Sequence, residues 1–191
     1  MTLRILEEST QWANRAELYI GIIKQAVRND LRRSNAPLCL WDYCVQRRAL
    51  IHNLVPRDLF QTEGRTPYEY QTGTQGDISN LCSYDWYDWC YFREEAGNQF
   101  PNPKEYLGRV LGPIKNEGNE MAQWVLKSIS SIVPRRSLRG LTKAEMNSDT
   151  ERLKRNQLDQ LIKRKLGDSL TIVEPERPEL PTDDKIKKKG L

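Results

Sequence analysis

Apolar residues in the first third of the chain recur at spacings of three and four positions. The members of this stripe are Ala16, Ile20, Ile23, Val27 and Leu31. A repeat of this period falls on one side of an α-helix, so we expect a helix over residues 13–33 whose stripe faces a core. The first third of the chain is therefore predicted to be helical.

A second helix is predicted to follow almost at once. The sequence Ser34-Asn35-Ala36-Pro37 breaks the first helix and starts the next, because proline is tolerated in a first turn and Asn or Ser supplies a cap. Pro56 ends it. Its expected apolar stripe is Leu38, Trp41, Val45, Ala49 and His52. Two helices joined by a short turn predict a hairpin, with a cationic exterior that includes Arg32, Arg33, Arg47 and Arg48.

The pattern becomes β-prone after residue 83. Residues 84–92 hold six of the chain's sixteen aromatic side chains. Strand-like runs follow at 106–111, 122–127 and 132–138, and the turn signal Lys115-Asn116-Glu117-Gly118-Asn119 separates the first two. Several short strands within about 60 residues fit a small SH3-like β-barrel. Its aromatic cluster is predicted to pack in the core rather than to stack on nucleobases; the cluster is Trp86, Trp89, Tyr91 and Phe92.

The complete prediction is an α+β chain of four segments. A helical hairpin occupies residues 1–57, and an acidic linker with one helical turn at 67–70 occupies 58–83. The β-barrel occupies 84–141, and a charged, partly disordered tail with a solvated or partner-dependent helix occupies 142–191.

Charge alternates along these segments although the net charge is only +4. Residues 13–57 carry eight cations and three acids, residues 58–103 carry two cations and eight acids, and residues 104–143 again carry eight cations and three acids. Two basic blocks separated by an acidic one predict two surfaces that face polyanions.

Several classes of protein are disfavoured by composition. There is no apolar run of about 18 residues, which argues against a transmembrane helix, and the N-terminus lacks the apolar core of a signal peptide. We therefore expect no membrane partner and a location in the nucleus or cytoplasm. The four cysteines match no Cys-x-x-Cys spacing, so reduced, buried thiols are expected rather than a zinc site; they are Cys39, Cys44, Cys82 and Cys90.

One face of the first helix carries a carboxylate and two cations. Glu17, Lys24 and Arg28 are spaced so that they line up beside the apolar stripe. This arrangement could present a carboxylate and two cations to a phosphodiester. The spacing also fits a simple first-turn acid favoured by the helix dipole.

Four segments of the chain resemble copia-type retrotransposon integrases in order and spacing. They are Gln11-Trp12-Ala13-Asn14-Arg15-Ala16-Glu17, Leu40-Trp41-Asp42-Tyr43-Cys44, Arg65-Thr66-Pro67-Tyr68-Glu69 and Leu107-Gly108-Arg109-Val110-Leu111-Gly112-Pro113. The first resembles the segment around the third catalytic carboxylate of that family. Together the matches cover roughly residues 9 to 141 of this chain.

The resemblance implies the C-terminal part of an integrase. Such enzymes hold two divalent metals, Mg²⁺ or Mn²⁺, with two Asp and one Glu on a ribonuclease-H-like core. Glu17 would be the catalytic glutamate and metal ligand, and Lys24 and Arg28 would contact DNA. Residues 1–16 contain Glu7 and Glu8 but no Asp. We therefore expect DNA binding without catalysis, no tightly bound metal, and possible self-association or association with the rest of the integrase.

A second candidate DNA-binding group follows Pro134. Arg135, Arg136 and Arg139 end a predicted strand, so at least two guanidinium groups should reach solvent and backbone phosphates, although plain surface charge fits equally well. The alternative function is a repurposed protein–protein interaction module without DNA chemistry.

Overall fold

The N-terminal helices of the protein precede a five-stranded antiparallel sheet. The computed structural model describes residues 15–56, 63–93, 105–114 and 121–167. The α+β class predicted from the sequence is confirmed for these residues.

Four α-helices lie before the sheet in the described residues. Helix α1 spans Arg15–Ser34, and a 3₁₀ turn at Leu38–Leu40 leads into α2 at Trp41–Leu54. Helix α3 spans Pro67–Thr72, where one helical turn was predicted, and α4 spans Ser79–Cys82. The contacts between α1 and α2 confirm the helical hairpin.

The five strands come from the aromatic segment and the runs after it. They are β1 Trp89–Arg93, β2 Glu105–Pro113, β3 Gln123–Leu126, β4 Ile132–Arg135 and β5 Leu138–Gly140. The strand order is β4-β3-β2-β1-β5, with every described pair antiparallel. The predicted turn at 115–119 lies outside the described residues. The antiparallel pairing of β2 with β3 agrees with the hairpin predicted there.

The sheet is strongly coiled but open. Strand β4 lies at one edge and β5 at the other, yet only Arg136 and Ser137 join them. Three residue steps span at most about 11 Å, whereas the edges of a flat five-stranded sheet lie about 19 Å apart. The two edges must therefore approach each other at this corner. The described strands do not close into the predicted barrel, because β4 and β5 share no ladder.

A β-bulge in β2 contributes to this curvature. The register with β3 shifts between Val110 and Gly112, and Gly112 has φ of 127°, a conformation that side chains with a Cβ rarely adopt. Gly108 and Gly112 both lie within β2.

Two helices follow the sheet and pack back onto it. Helix α5 spans Lys143–Asn147 and α6 spans Asp149–Leu166. The helix predicted to be solvated or partner-dependent finds its partner within the chain, since Leu158 and Ile162 are buried. Leu153 and Leu161 of the same helix are exposed.

An ion pair fixes α6 against β2. The buried Arg109 guanidinium donates to both carboxylate oxygens of Asp159, at 2.9 Å and 2.8 Å through Nη2, and to the Tyr87 carbonyl at 2.8 Å. Its carbon Cζ lies 3.2 Å from the centre of the Trp89 ring. The donors and the π-face of this arginine are thus satisfied inside the molecule.

One hydrophobic core joins the helices to the sheet. Its buried members come from α1, α2, the loop before β1, the sheet and α6: Val27, Leu31, Ala36, Leu40, Cys44, Trp86, Tyr87, Leu111, Leu126, Leu158 and Ile162. A second cluster packs within the sheet around Phe92 and Val125. Core packing of the aromatic segment is confirmed, since Trp86 and Phe92 are buried and Trp89 and Tyr91 half-buried. The boundaries predicted at residues 57, 83 and 141 stay predictions.

The predicted helix stripes are correct only in part. In α1 the C-terminal half of the stripe is buried, but Ala16 and Ile20 are exposed. The stripe predicted for the second helix is wrong at Leu38 and Trp41, which are 39% and 55% exposed, and correct at Val45, which packs against the core. The buried residues of α2 are Cys44 and Arg47. His52 does pack, with its ring 5.1 Å from that of Tyr19.

The predicted cationic exterior and buried thiols also need correction. Arg32 and Arg33 are exposed, but Arg47 is buried and Arg48 is paired with Asp30. All four cysteines are free; Cys44 and Cys90 are buried, whereas Cys39 and Cys82 are exposed.

Candidate nucleic-acid interface

Glu17, Lys24 and Arg28 lie along one exposed line of α1. All three side chains are exposed, and the eleven residue steps from the first to the last span about 16 Å of helix. Neither Lys24 nor Arg28 has an ion-pair partner within the described parts of the chain. We call this line of three residues the α1 face.

Glu17 is accessible but does not form a metal site with described neighbours. Nowhere in residues 15–56, 63–93, 105–114 and 121–167 do three His, Cys, Asp or Glu side chains converge as metal ligands. One carboxylate does not supply the coordination that Mg²⁺ requires. The residues described here therefore do not fit a two-metal centre. The Mg²⁺ prediction concerns the intact enzyme, where further carboxylates would be needed.

The arginines predicted after Pro134 lie at the corner between β4 and β5. Arg136 is exposed and forms no ion pair with the described residues. Arg135 is half-buried: its Nη1 donates to the Pro134 carbonyl at 2.8 Å, and its Cζ lies 5.9 Å from the Phe92 ring centre. Of these two, Arg136 has the more accessible charge.

Arg139 is held by two carboxylates. Its Nη1 donates to Glu145 at 2.8 Å and its Nη2 donates to Glu105 at 3.1 Å, while Cζ sits 4.7 Å from the Tyr91 ring centre. These hydrogen bonds raise the pKa of Arg139. Because two carboxylates offset its charge, this side chain is poorly suited to bind phosphate, although 42% of it is exposed.

The Glu145 end of this cluster also caps α5. Thr142 and Glu145 form a capping box, in which the Thr142 hydroxyl accepts from the Glu145 amide and Glu145 accepts from the Thr142 amide. The hydrogen bond from Arg139, followed by the amide of Thr142, lowers the pKa of Glu145 to about 2. Arg139 therefore links the end of the sheet to the start of the C-terminal helices.

The sequence reasoning missed the cationic residues that turn inward from α2. Leu40, Cys44, Arg47 and Ile51 have the same helical spacing as the predicted stripe, and the first three are buried. Because Arg47 is charged, a search for apolar residues at helical spacing does not recognise these four residues as a buried stripe. Arg48 donates through Nε and Nη2 to both oxygens of Asp30, which raises the pKa of Arg48.

Within the described residues, none of the helices has the length and apolar character needed to span a bilayer. Comparisons of the chain with protein-family models, with curated proteins and with solved structures found no match.

Proposed function

We propose that the chain is the C-terminal part of a copia-type integrase and that it binds DNA through the α1 face. The observation that carries the proposal is the exposed line of Glu17, Lys24 and Arg28, whose two cations have no described ion-pair partner. Other arginines, such as Arg109 and Arg139, are paired with carboxylates at short distance. Cations without such partners can exchange counterions for phosphates.

Binding through this face is electrostatic and independent of DNA sequence. Lys24 and Arg28 contact backbone phosphates, and Arg136 adds a contact where the sheet turns from β4 to β5. The coiled sheet then serves as an SH3-like module that presents this corner. Such binding weakens steeply with salt, because each neutralised phosphate releases counterions.

In an intact enzyme with two further carboxylates, Glu17 would be one of three ligands of divalent metals, whose chemistry would be to polarise the oxygens of the phosphoryl transfer. In this chain the role of Glu17 is to present an accessible carboxylate from a rigid helix beside two cations. The described residues alone do not catalyse strand transfer.

Fluorescence anisotropy with a labelled duplex of random sequence tests this function. We expect saturable binding at low salt by the full chain, and a loss of about tenfold or more in the Lys24→Ala/Arg28→Ala variant. Arg139→Ala is the matched control, since its charge is offset by Glu105 and Glu145. Unchanged affinity in the double variant would overturn the proposed surface.

One observation favours the alternative function, a protein-interaction module. Leu18 and Ile22 lie one turn apart on the side of α1 away from the core, and they are 54% and 43% exposed. Adjacent exposed apolar side chains are typical of a protein-binding surface. Under this alternative, DNA binding would be weak and indifferent to Lys24 and Arg28, whereas Leu18→Ser/Ile22→Ser would abolish self-association or partner binding.

A further inference from the structure

A charged cleft lies where the helical hairpin meets the sheet. It has a volume of about 350 Å³ and is enclosed by the end of α1, the middle of α2, the loop before β1 and strand β2. Four guanidinium groups line it: Arg33, Arg47, Arg48 and Arg109. Three carboxylates line it as well: Asp30, which is bound by Arg48, and the exposed Asp85 and Asp88. A ligand can be bound only by those groups whose N–H donors are not already used within the protein.

Two of the four use their donors within the protein. Arg109 is bound to Asp159 and to the Tyr87 carbonyl, and Arg48 is bound to both oxygens of Asp30. Their charges are offset at short range. They therefore shape the cleft rather than attract an anion into it.

Arg47 is buried without an equivalent partner. Its side chain is only 7% exposed; Nη2 donates to the Tyr84 carbonyl at 3.2 Å, and the Asp85 oxygen lies 3.6 Å away. Asp85 is itself 90% exposed, so water screens its charge. A guanidinium has five N–H donors, and a buried one needs a close, well-aligned anion to offset its desolvation. The solvated Asp85 does not provide this.

Arg33 approaches the same cleft from a different element. It lies in the last turn of α1, is exposed, and forms no ion pair with any described residue. Arg33 and Arg47 thus bring unused donors to one cavity from two helices. Planar N–H donors that converge from two directions suit an anion with several oxygen acceptors.

The loop before β1, which also lines the cleft, has an unusual backbone conformation at Tyr87. Tyr87 has φ of 65°, a region that bulky residues rarely occupy. It is held there because the Tyr87 amide donates to Val110 O and the Val110 amide donates to Asp88 O, each at 2.9 Å. Such strain persists only where the surroundings enforce it, and it is concentrated at functional sites. These two hydrogen bonds therefore hold the loop before β1, which lines the cleft, against strand β2.

We propose that this cleft binds a phosphate group, with Arg47 and Arg33 as the donors. The proposal does not rest on the proposed function. A free phosphate ester and a phosphodiester of nucleic acid share this chemistry, and the site would accept either source.

Isothermal titration of the full chain with inorganic pyrophosphate tests the site. We expect saturable binding of one equivalent, weakened about tenfold in Arg33→Ala, as for loss of one charge-assisted hydrogen bond. The affinity of Arg33→Lys should lie between those of the unmodified chain and Arg33→Ala, since lysine keeps the charge but lacks the planar guanidinium. Arg164→Ala removes an exposed arginine from the last turn of another helix, α6, outside the cleft, and should bind like the unmodified chain.

Nuclear magnetic resonance can detect ligand binding at Arg47 without substituting this buried residue. Pyrophosphate should shift the side-chain Nε–H resonances of Arg47 and Arg33 and leave that of Arg164 in place. Absence of saturable binding, or equal weakening by Arg33→Ala and Arg164→Ala, would overturn the site in favour of diffuse surface attraction.

A competing DNA duplex distinguishes the two phosphate sources. Displacement of pyrophosphate by duplex, with weaker duplex binding in Arg33→Ala, assigns the site to the DNA backbone. Simultaneous binding of both assigns it to a free phosphate ester. Loss of duplex binding in Lys24→Ala/Arg28→Ala with pyrophosphate binding intact separates this site from the α1 face.

Discussion

Arg109 and Arg47 are both buried arginines, but their surroundings differ. Arg109, between β2 and α6, is bound to both oxygens of Asp159, a backbone carbonyl and an aromatic face. Arg47, in α2, has one backbone hydrogen bond and a longer contact with a solvated carboxylate. Burial lowers the pKa of both, and desolvation is the largest cause in each.

The difference separates structural arginines from those available to a ligand. A guanidinium whose donors are consumed contributes to the fold and has little to offer an anion. One with unused donors, whether buried as in Arg47 or exposed as in Arg28, is available for phosphate. Net charge alone does not distinguish these cases.

The largest effect is expected where the core holds α6 against the rest of the molecule. Ile162→Ala should lower the free energy of unfolding by about 3 kcal/mol, because the side chain is fully buried. Leu161→Ala, next to it but 41% exposed, should cost below about 1 kcal/mol. Urea unfolding followed by tryptophan fluorescence and circular dichroism measures both. A separate transition for α6 would show that it is not part of the common core.

The two buried arginines can be compared by the same substitution. Arg109→Met leaves Asp159 unpaired and should cost about 2 kcal/mol, below the usual range for a broken buried pair because Asp159 is partly exposed. Arg47→Met should cost about 1 kcal/mol or less, because Asp85 keeps its water. Urea unfolding gives both values. Equal losses would remove the distinction between the two regions.

The Arg139 cluster predicts a smaller, pH-dependent effect. The hydrogen bond from Arg139 lowers the pKa of Glu145 from its ordinary value of 4.5 to about 2. A carboxyl whose pKa is depressed in the folded state stabilises above its unfolded pKa, and this contribution is lost as the pH falls towards the folded pKa.

Unfolding measured between pH 4.5 and 2 tests this contribution. The unmodified chain should lose stability across this range, and Glu145→Gln should lose less. Glu69→Gln, at the start of α3, is the control and should follow the unmodified chain. Identical profiles for Glu145→Gln and the unmodified chain would contradict the assignment.

The smallest effect is chemical rather than energetic. Burial raises the pKa of the Cys44 and Cys90 thiols to about 12, so both should resist alkylation by iodoacetamide in the folded protein. The exposed Cys39 and Cys82 should be modified. Mass spectrometry should count two labels in buffer and four in urea. Modification of Cys44 under native conditions would show that the hairpin opens readily.

Local periodicity was sufficient to predict the helical hairpin and most strands of the sheet, but the run predicted at 132–138 is divided by a corner into β4 and β5. The helix over 13–33 and the strand runs carry their own spacing, and those signals need no knowledge of distant residues. The coiling of the sheet could not be predicted in this way, because it depends on a two-residue link between strands at opposite edges.

The candidate site was less predictable than the fold. Exposure of Glu17, Lys24 and Arg28 follows from helix geometry, but the pairing of Arg139 with Glu105 and Glu145 joins three separate elements. The inward turn of Arg47 places a charge on a buried stripe, against the pattern that sequence reasoning seeks. Contacts of this kind arise from tertiary packing, and the periodicity of a single sequence carries no information about them.

The dependence of DNA affinity on salt tests most directly the claim that cations without partners bind phosphate and paired ones do not. The logarithm of the binding constant falls with the logarithm of salt by about 0.9 for each neutralised phosphate. Lys24→Ala/Arg28→Ala should therefore reduce the steepness of this dependence by about 2. Arg139→Ala/Arg152→Ala removes two cations that are paired with carboxylates and should leave it unchanged. An equal reduction in both double variants would contradict the claim.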